Sequence, residues 1–205
     1  KIIDNGEIGK ILYIDSVRVN LGLFQKDSNV IYDLGIHDFS IIQYFLGLKP
    51  KSILAQASAH FGKQEDFANV YLEYPKNISA HIQVSWLSPV KIRRMVIVGT
   101  KKMILYDDIE PTEKIKIYDR GIEMPKNQKE LEEMKIGYRS GDVWLPQVNV
   151  IEPLSVVVRE FLKALETRRV TNSDVSFGKD IVELLEISTK AARSGKRIEL
   201  KNANK

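Results

Sequence analysis

Apolar and polar residues alternate most cleanly between Ile78 and Trp86. Ile78, Ala80, Ile82, Val84 and Trp86 fall on one face, and Ser79, His81, Gln83 and Ser85 on the other. A period of two marks a strand with one covered and one open face. Looser alternation, rich in β-branched residues, predicts further strands at Lys10 to Asn20, Ser52 to Phe61, Phe67 to Tyr74, Ile92 to Val98, Met103 to Tyr106 and Ile115 to Tyr118, with a last short one at Arg197 to Leu200. Helical spacing predicts three helices: Asn29 to Leu46, stopped by Gly47 and Pro50; Leu154 to Thr167, with Pro153 in its first turn; and Val175 to Arg193, with Gly195 just past its end. No period holds from Gly121 to Ile151, which reads as a long loop excursion of the kind that carries function or moves. The opening Lys1 to Asn5, followed by Gly6, reads as the last turn of a linking helix, so a preceding domain is expected, and the tail Lys201 to Lys205 is expected to fray. Short strands with polar turns and helices grouped together predict an α+β domain built on a mostly antiparallel sheet.

Composition narrows the chemistry more than the fold. The 205 residues are 43% hydrophobic and 28% charged, which suits one globular domain. There is no cysteine, so disulfide frameworks, thiolate catalysis and cysteine-bound zinc are excluded, and a reducing cytoplasm is the expected location. Lys plus Arg (31) exceeds Asp plus Glu (27) by only four, scattered along the chain; neither nucleic acid nor a membrane is an expected partner.

The helix Asn29 to Leu46 is unusual in its polar half. At roughly 100° per residue, Val30, Leu34, Ile41, Ile42 and Phe45 form a core stripe, and Asn29, Asp33, His37, Ser40 and Tyr44 a polar one beside it. From Asp27 to Leu48 there is no Lys, Arg or Glu, the residues that normally coat a solvated helix. Such a helix is expected to be covered on both sides, by its own sheet and by a partner domain or ligand. Asp33 and His37 stand i, i+4 and are neighbours on the polar stripe. A carboxylate beside an imidazole fixes its tautomer and supports its charged form, which suits proton transfer near neutral pH; the same pair can also be an ordinary helix-surface hydrogen bond. Gly35 costs about 1 kcal/mol of helix stability relative to Ala and can let another backbone or a ligand come close. The three histidines, 37, 60 and 81, lack metal-ligand spacing, and no metal site is expected.

A second stretch, Ser85 to Arg94 (SWLSPVKIRR), returns from a Ser-Pro turn with Lys91, Arg93 and Arg94. Cations at a strand end can hold an anionic group, Arg bidentately, or can simply face solvent.

These two stretches together resemble the C-terminal domain of the Gfo/Idh/MocA oxidoreductases, the glucose-fructose oxidoreductase and inositol dehydrogenase group. The resemblance runs from NGEIGKI (Asn5 to Ile11) through NVIYDLGIHD (Asn29 to Asp38) and SWLSPVKIRR to EPLSVVVREFLKAL (Glu152 to Leu165), and DLGIH, Asp33 to His37, is its most specific element. It implies helices on one sheet face and an open face that builds homo-oligomers, here the face of His81, Gln83 and Ser85. By the same resemblance His37 exchanges the proton of a sugar hydroxyl while hydride passes to or from NAD or NADP, with Asp33 orienting it. Asn29, Lys91 and Arg93 are the expected substrate contacts, and Tyr138 and Arg139 could cross the site. The family carries its cofactor on a preceding N-terminal Rossmann domain and takes a Lys from a Glu-Lys-Pro motif there. Neither that motif nor any Gly-x-Gly-x-x-Gly occurs here. The chain is therefore expected to be a single substrate-binding and oligomerisation domain over residues 1–205, without tightly bound cofactor and inactive alone. SWLSPVKIRR and GDVWLP (Gly141 to Pro146) look most like members acting on nucleotide-linked sugars, including UDP-N-acetyl sugars. The other reading is a non-catalytic sugar-binding or assembly module that keeps the fold.

Overall fold

A computed structural model describes residues 1–123, 137–148, 151–171 and 173–200. Its main feature is a nine-stranded sheet made by β1 (Ile11–Leu21), β2 (Ser52–Ser58), β3 (Phe67–Tyr74), β4 (Ile78–Ser85), β5 (Leu87–Gly99), β6 (Met103–Asp107), β7 (Ile115–Tyr118), β10 (Val143–Trp144) and β11 (Ile198–Glu199). The strand order is β10-β7-β6-β5-β1-β4-β3-β2-β11. Every neighbouring pair is antiparallel except β1 with β4, which run parallel in the register Ile14 to Ala80 and Val19 to Ser85. The sheet is thus mixed at its centre. A single residue, Trp86, carries the chain from β4 over the end of β1 into β5, and its carbonyl accepts the Gly22 N–H at 3.0 Å.

The alternation read along Ile78 to Trp86 is realised: Ile78, Ala80, Ile82 and Val84 are buried beneath the helices. They meet Phe39 and Ile42 of α1 (Ile36–Leu46) and Ile181, Leu184 and Leu185 of the long C-terminal helix, all in one continuous core. Each fully buried aliphatic side chain contributes roughly 1.5–3 kcal/mol to that core. Gly47 closes α1 in the left-handed conformation at φ 58°, as its position predicts.

The excursion is less irregular than expected. Gly121–Glu123 (β8) and Gly137–Arg139 (β9) pair as a two-stranded ribbon, and β10 joins the edge of the main sheet. Residues 124–136 and 149–150 of that stretch, and the tail 201–205, lie outside the described residues. Helix α2 (Pro153–Thr167) begins on Glu152, whose carboxylate accepts the N–H groups of Leu154 and Ser155. Helix α3 (Val175–Ser194) begins on Asp174 and stops at Gly195. Helices on one face describes α1 and α3 but not α2, which has no buried residue and leaves Leu154, Val157, Phe161 and Leu165 exposed. No helix among the described residues is long and apolar enough to cross a membrane.

Candidate active site

The helix expected from Asn29 to Leu46 is two pieces. A π-helical turn, Ile31–Gly35, precedes α1. A π turn takes up one more residue than the α repeat, so every position after it is displaced by one along the buried seam. That is why Phe39 and Ile42 are buried while Ile41 is only half-buried and Phe45 is 37% exposed, against the expected stripe. Gly35 sits at the junction. A methyl group there would make only ordinary contacts with Phe39 and Ile31, so close backbone approach is not its reason.

Asp38, the residue after His37, is turned inward and is 2% exposed. Its carboxylate accepts from Arg18 Nε at 2.7 Å, Arg18 Nη2 at 3.2 Å and Ser16 Oγ at 2.8 Å. Ser16 and Arg18 alternate with open-face residues on β1 and so point under α1. The buried pair ties the helix that carries His37 to the central strand.

His37 itself remains exposed. Crowding of its inner side by the protein pushes its pKa below the usual histidine value; the Arg18 and Arg93 guanidiniums push the same way, and Asp38 and Asp33 only partly oppose them. The resting imidazole is therefore neutral at pH 7. Asp33 favours the charged ring, as expected, but burial and the two guanidiniums outweigh it. No hydrogen bond joins Asp33 to His37 among the described residues; Asp33 Oδ2 instead accepts the indole N–H of Trp86 at 2.7 Å.

Arg93 lies directly across from Arg18 on the same sheet face. One of its terminal nitrogens stands 3.5 Å from Asp108, and its Nε is buried with no partner. Asp108 also accepts the Tyr106 hydroxyl at 2.8 Å, and burial with that contact lifts the Tyr106 phenol to about 12. Lys91 is exposed two residues earlier on the same face. Asn29 is a different matter. It is 3% exposed, its Oδ1 accepts the Tyr32 N–H, and its amide donates to Glu65 at 3.0 Å. Capping the first turn occupies it, so the expected substrate contact becomes a structural one. Tyr138 is 83% exposed in the β8–β9 ribbon, where Arg139 bonds Asp119 and the Lys101 carbonyl.

Reasoning from sequence missed Ser16, Arg18, Asp38 and Trp86. The signal was present for the first two: polar residues at positions of β1 that alternate with Ile14 point into the core and demand a buried partner, which Asp38 supplies.

The described residues offer no cradle for a dinucleotide. The glycines never open a helix after a strand in the phosphate-binding pattern, and the parallel pair β1–β4 is not joined by a crossover helix of that kind. A nicotinamide cofactor finds no dinucleotide cradle among the described residues.

A mixed sheet with α1 and α3 on one face, and a buried Arg18–Asp38 pair tying α1 to β1, defines a domain of α+β type. Residues 1–105 match the GFO/IDH/MocA C-terminal domain, and the chain belongs to that family. Among solved structures it is similar to the UDP-N-acetylglucosamine 3-dehydrogenase GnnA from Acidithiobacillus ferrooxidans, at 19% identity and TM-score 0.72 over 94% of this chain and 57% of that one. It is also similar to the aldose-aldose oxidoreductase from Caulobacter crescentus, at 18% identity and TM-score 0.74, over 97% and 58%. A third is GenD2 from gentamicin A biosynthesis, in complex with NAD, at 18% identity and TM-score 0.72, over 98% and 58%. At these identities the likeness is one of fold. The chain spans somewhat more than half the length of each. A search of curated proteins gives no match.

Proposed function

We propose that this chain is the substrate half of an oxidoreductase acting on a hydroxyl of a sugar or nucleotide-linked sugar, with His37 as the acid/base. A secondary alcohol becomes a ketone when its oxygen loses a proton and its carbon a hydride. The residues described supply the first half: a neutral, exposed imidazole ready to accept the proton. NAD or NADP, as hydride acceptor, would be held by a Rossmann domain outside these residues.

The observation that carries the reading is the setting of His37. It is solvent-facing on a helix otherwise locked into the core by Asp38, and it lies within the electrostatic reach of two guanidiniums. Asp33, fixed by Trp86, would hydrogen-bond the substrate or orient it, and Lys91 and Arg93 would hold an anionic substituent. On the open sheet face, His81 contacts Asp15 and Asn69 and stacks on Tyr71 at 4.7 Å, beside exposed Tyr13 and Leu54. This face would carry homo-oligomer contacts, a proposal that a Tyr71→Asp variant with unchanged sedimentation would remove.

The test joins the chain to a nicotinamide-binding domain of a relative and follows coenzyme reduction with UDP-N-acetylglucosamine, glucose and inositol. Turnover with at least one is expected. Tight coenzyme binding with no turnover on any sugar would favour the non-catalytic module.

A further inference from the structure

Two phenylalanine rings stand in solvent past the end of β1, where Trp86 crosses from β4 to β5. Phe24 is 48% exposed and Phe61 78%, and they meet edge to face with centroids 6.2 Å apart. Exposed aromatic rings in contact with each other are uncommon on a soluble surface unless something binds there. Neither ring is displayed by a loose loop.

Phe24 follows β1 directly. Gly22 lies so close to the Trp86 side chain that no Cβ would fit, and this approach brings the Phe24 ring to 5.6 Å from the indole. Phe61 is fixed from the other side by Asp66, a carboxylate with no exposure at all. Asp66 Oδ2 accepts the backbone N–H of His60 at 2.7 Å and of Phe61 at 3.1 Å, and Oδ1 meets His60 Nδ1 at 2.7 Å. Burial would raise the Asp66 pKa, but these hydrogen bonds outweigh it and hold the group ionised. Backbone bonds from Gly22 to Trp86, Trp86 to Asp66 and Asp66 to Ser58 then lock the crossing together. Trp86, buried at the centre, donates its indole N–H to Asp33. One residue therefore links the aromatic pair to the proposed reaction centre, and the basic run of Lys91 and Arg93 begins just after it.

We propose that Phe24 and Phe61 form a stacking platform for the base of a nucleoside diphosphate sugar. The inference rests on the reading of His37 as the acid/base and extends it to the substrate's far end. An aromatic wall, two cations and an imidazole at one sheet end match, in kind, a flat base, a diphosphate and a sugar hydroxyl. Bases stack on Phe faces with little regard to sequence. A platform of this kind sets substrate class without touching the reacting carbon.

The experiment titrates the 205-residue chain with three probes, UMP, inorganic phosphate and methyl glucoside, followed by protein-observed NMR, with saturation transfer read on the two probes that carry C–H protons. UMP should bind, with the strongest transfer to its base protons. Phe24→Ala and Phe61→Leu should each weaken UMP about tenfold. Methyl glucoside should be unaffected by either change. Both rings are largely exposed, so the variants should keep the wild-type melting temperature, which is measured alongside. Unchanged UMP affinity in both variants, as expected if the rings instead dock a protein domain, would overturn the proposal. So would UMP binding no tighter than phosphate. If methyl glucoside still perturbs the His37 resonances when UMP fails, the platform alone falls and the acid/base reading stands. If UMP binds as described but no sugar reaches His37, the reverse holds.

Discussion

Replacing Asp38 with Ala will destabilise the domain by about 3–5 kcal/mol, the cost of stripping one partner from a buried ion pair. Asp38 and Arg18 have side chains 3% and 10% exposed, and the carboxylate collects three hydrogen bonds from β1. Without it the Arg18 guanidinium has no compensating charge beneath α1, and it faces Arg93 directly across the β1–β5 ladder. Like charges opposite one another in a sheet are unfavourable, so the two losses add. The pair itself need not be a net gain. An Arg18→Met, Asp38→Leu double variant should therefore recover most of the loss, since apolar groups of similar volume often replace a buried ion pair without penalty. Urea denaturation of the two single variants and the double gives the coupling directly. A loss below about 1 kcal/mol for Asp38→Ala, the value typical of an exposed pair, would mean that the network is not buried as described.

His37→Ala, in a protein that carries the nicotinamide-binding domain, will lower kcat by about 10²- to 10⁴-fold, the usual contribution of a positioned general acid or base. The effect should fall on kcat more than on KM, because the contacts proposed for the substrate at Lys91 and Arg93 are untouched. His37 is exposed and makes no hydrogen bond that the fold depends on, so the melting temperature should hardly move. This contrasts with Asp38→Ala, in which stability falls first. Adjacent residues on one helix thus divide the work, one facing solvent and proposed to meet the substrate, the other anchoring the helix.

Where the sequence was legible, a local pattern and a buried surface agreed. The alternation of Ile78 to Trp86, the Gly47 and Gly195 stops and the Pro153 start all depend on neighbours in the chain, and each stands where expected. What escaped was set by contacts distant in sequence. The parallel pairing of β1 with β4 follows from Trp86 stepping over a strand end, and no periodicity encodes that. Nothing in Ile31 to Gly35 marks a π turn, whereas Asp38, four residues after Leu34 and four before Ile42, stands on the buried stripe by helical spacing alone. Asn29 was legible in another sense: an Asn just before a helical run is a capping residue, and that simple reading is the one the structure gives. The Asp33–His37 spacing put both groups in one segment, but Asp33 bonds elsewhere, because the indole of Trp86 arrives from the β4–β5 crossing more than fifty positions away.

The most direct measurement is the pH dependence of kcat/KM for alcohol oxidation, wild type against His37→Ala. If a neutral His37 takes the proton, the rate falls as pH drops through the histidine pKa. Because burial and Arg18 hold that pKa under the ordinary 6.5, the midpoint of the acid limb should lie below it. In His37→Ala the residual rate should lose that limb. An acid limb that persists unchanged in the variant, or a wild-type midpoint well above the ordinary histidine value, would contradict the assignment of His37 as the group that takes the proton.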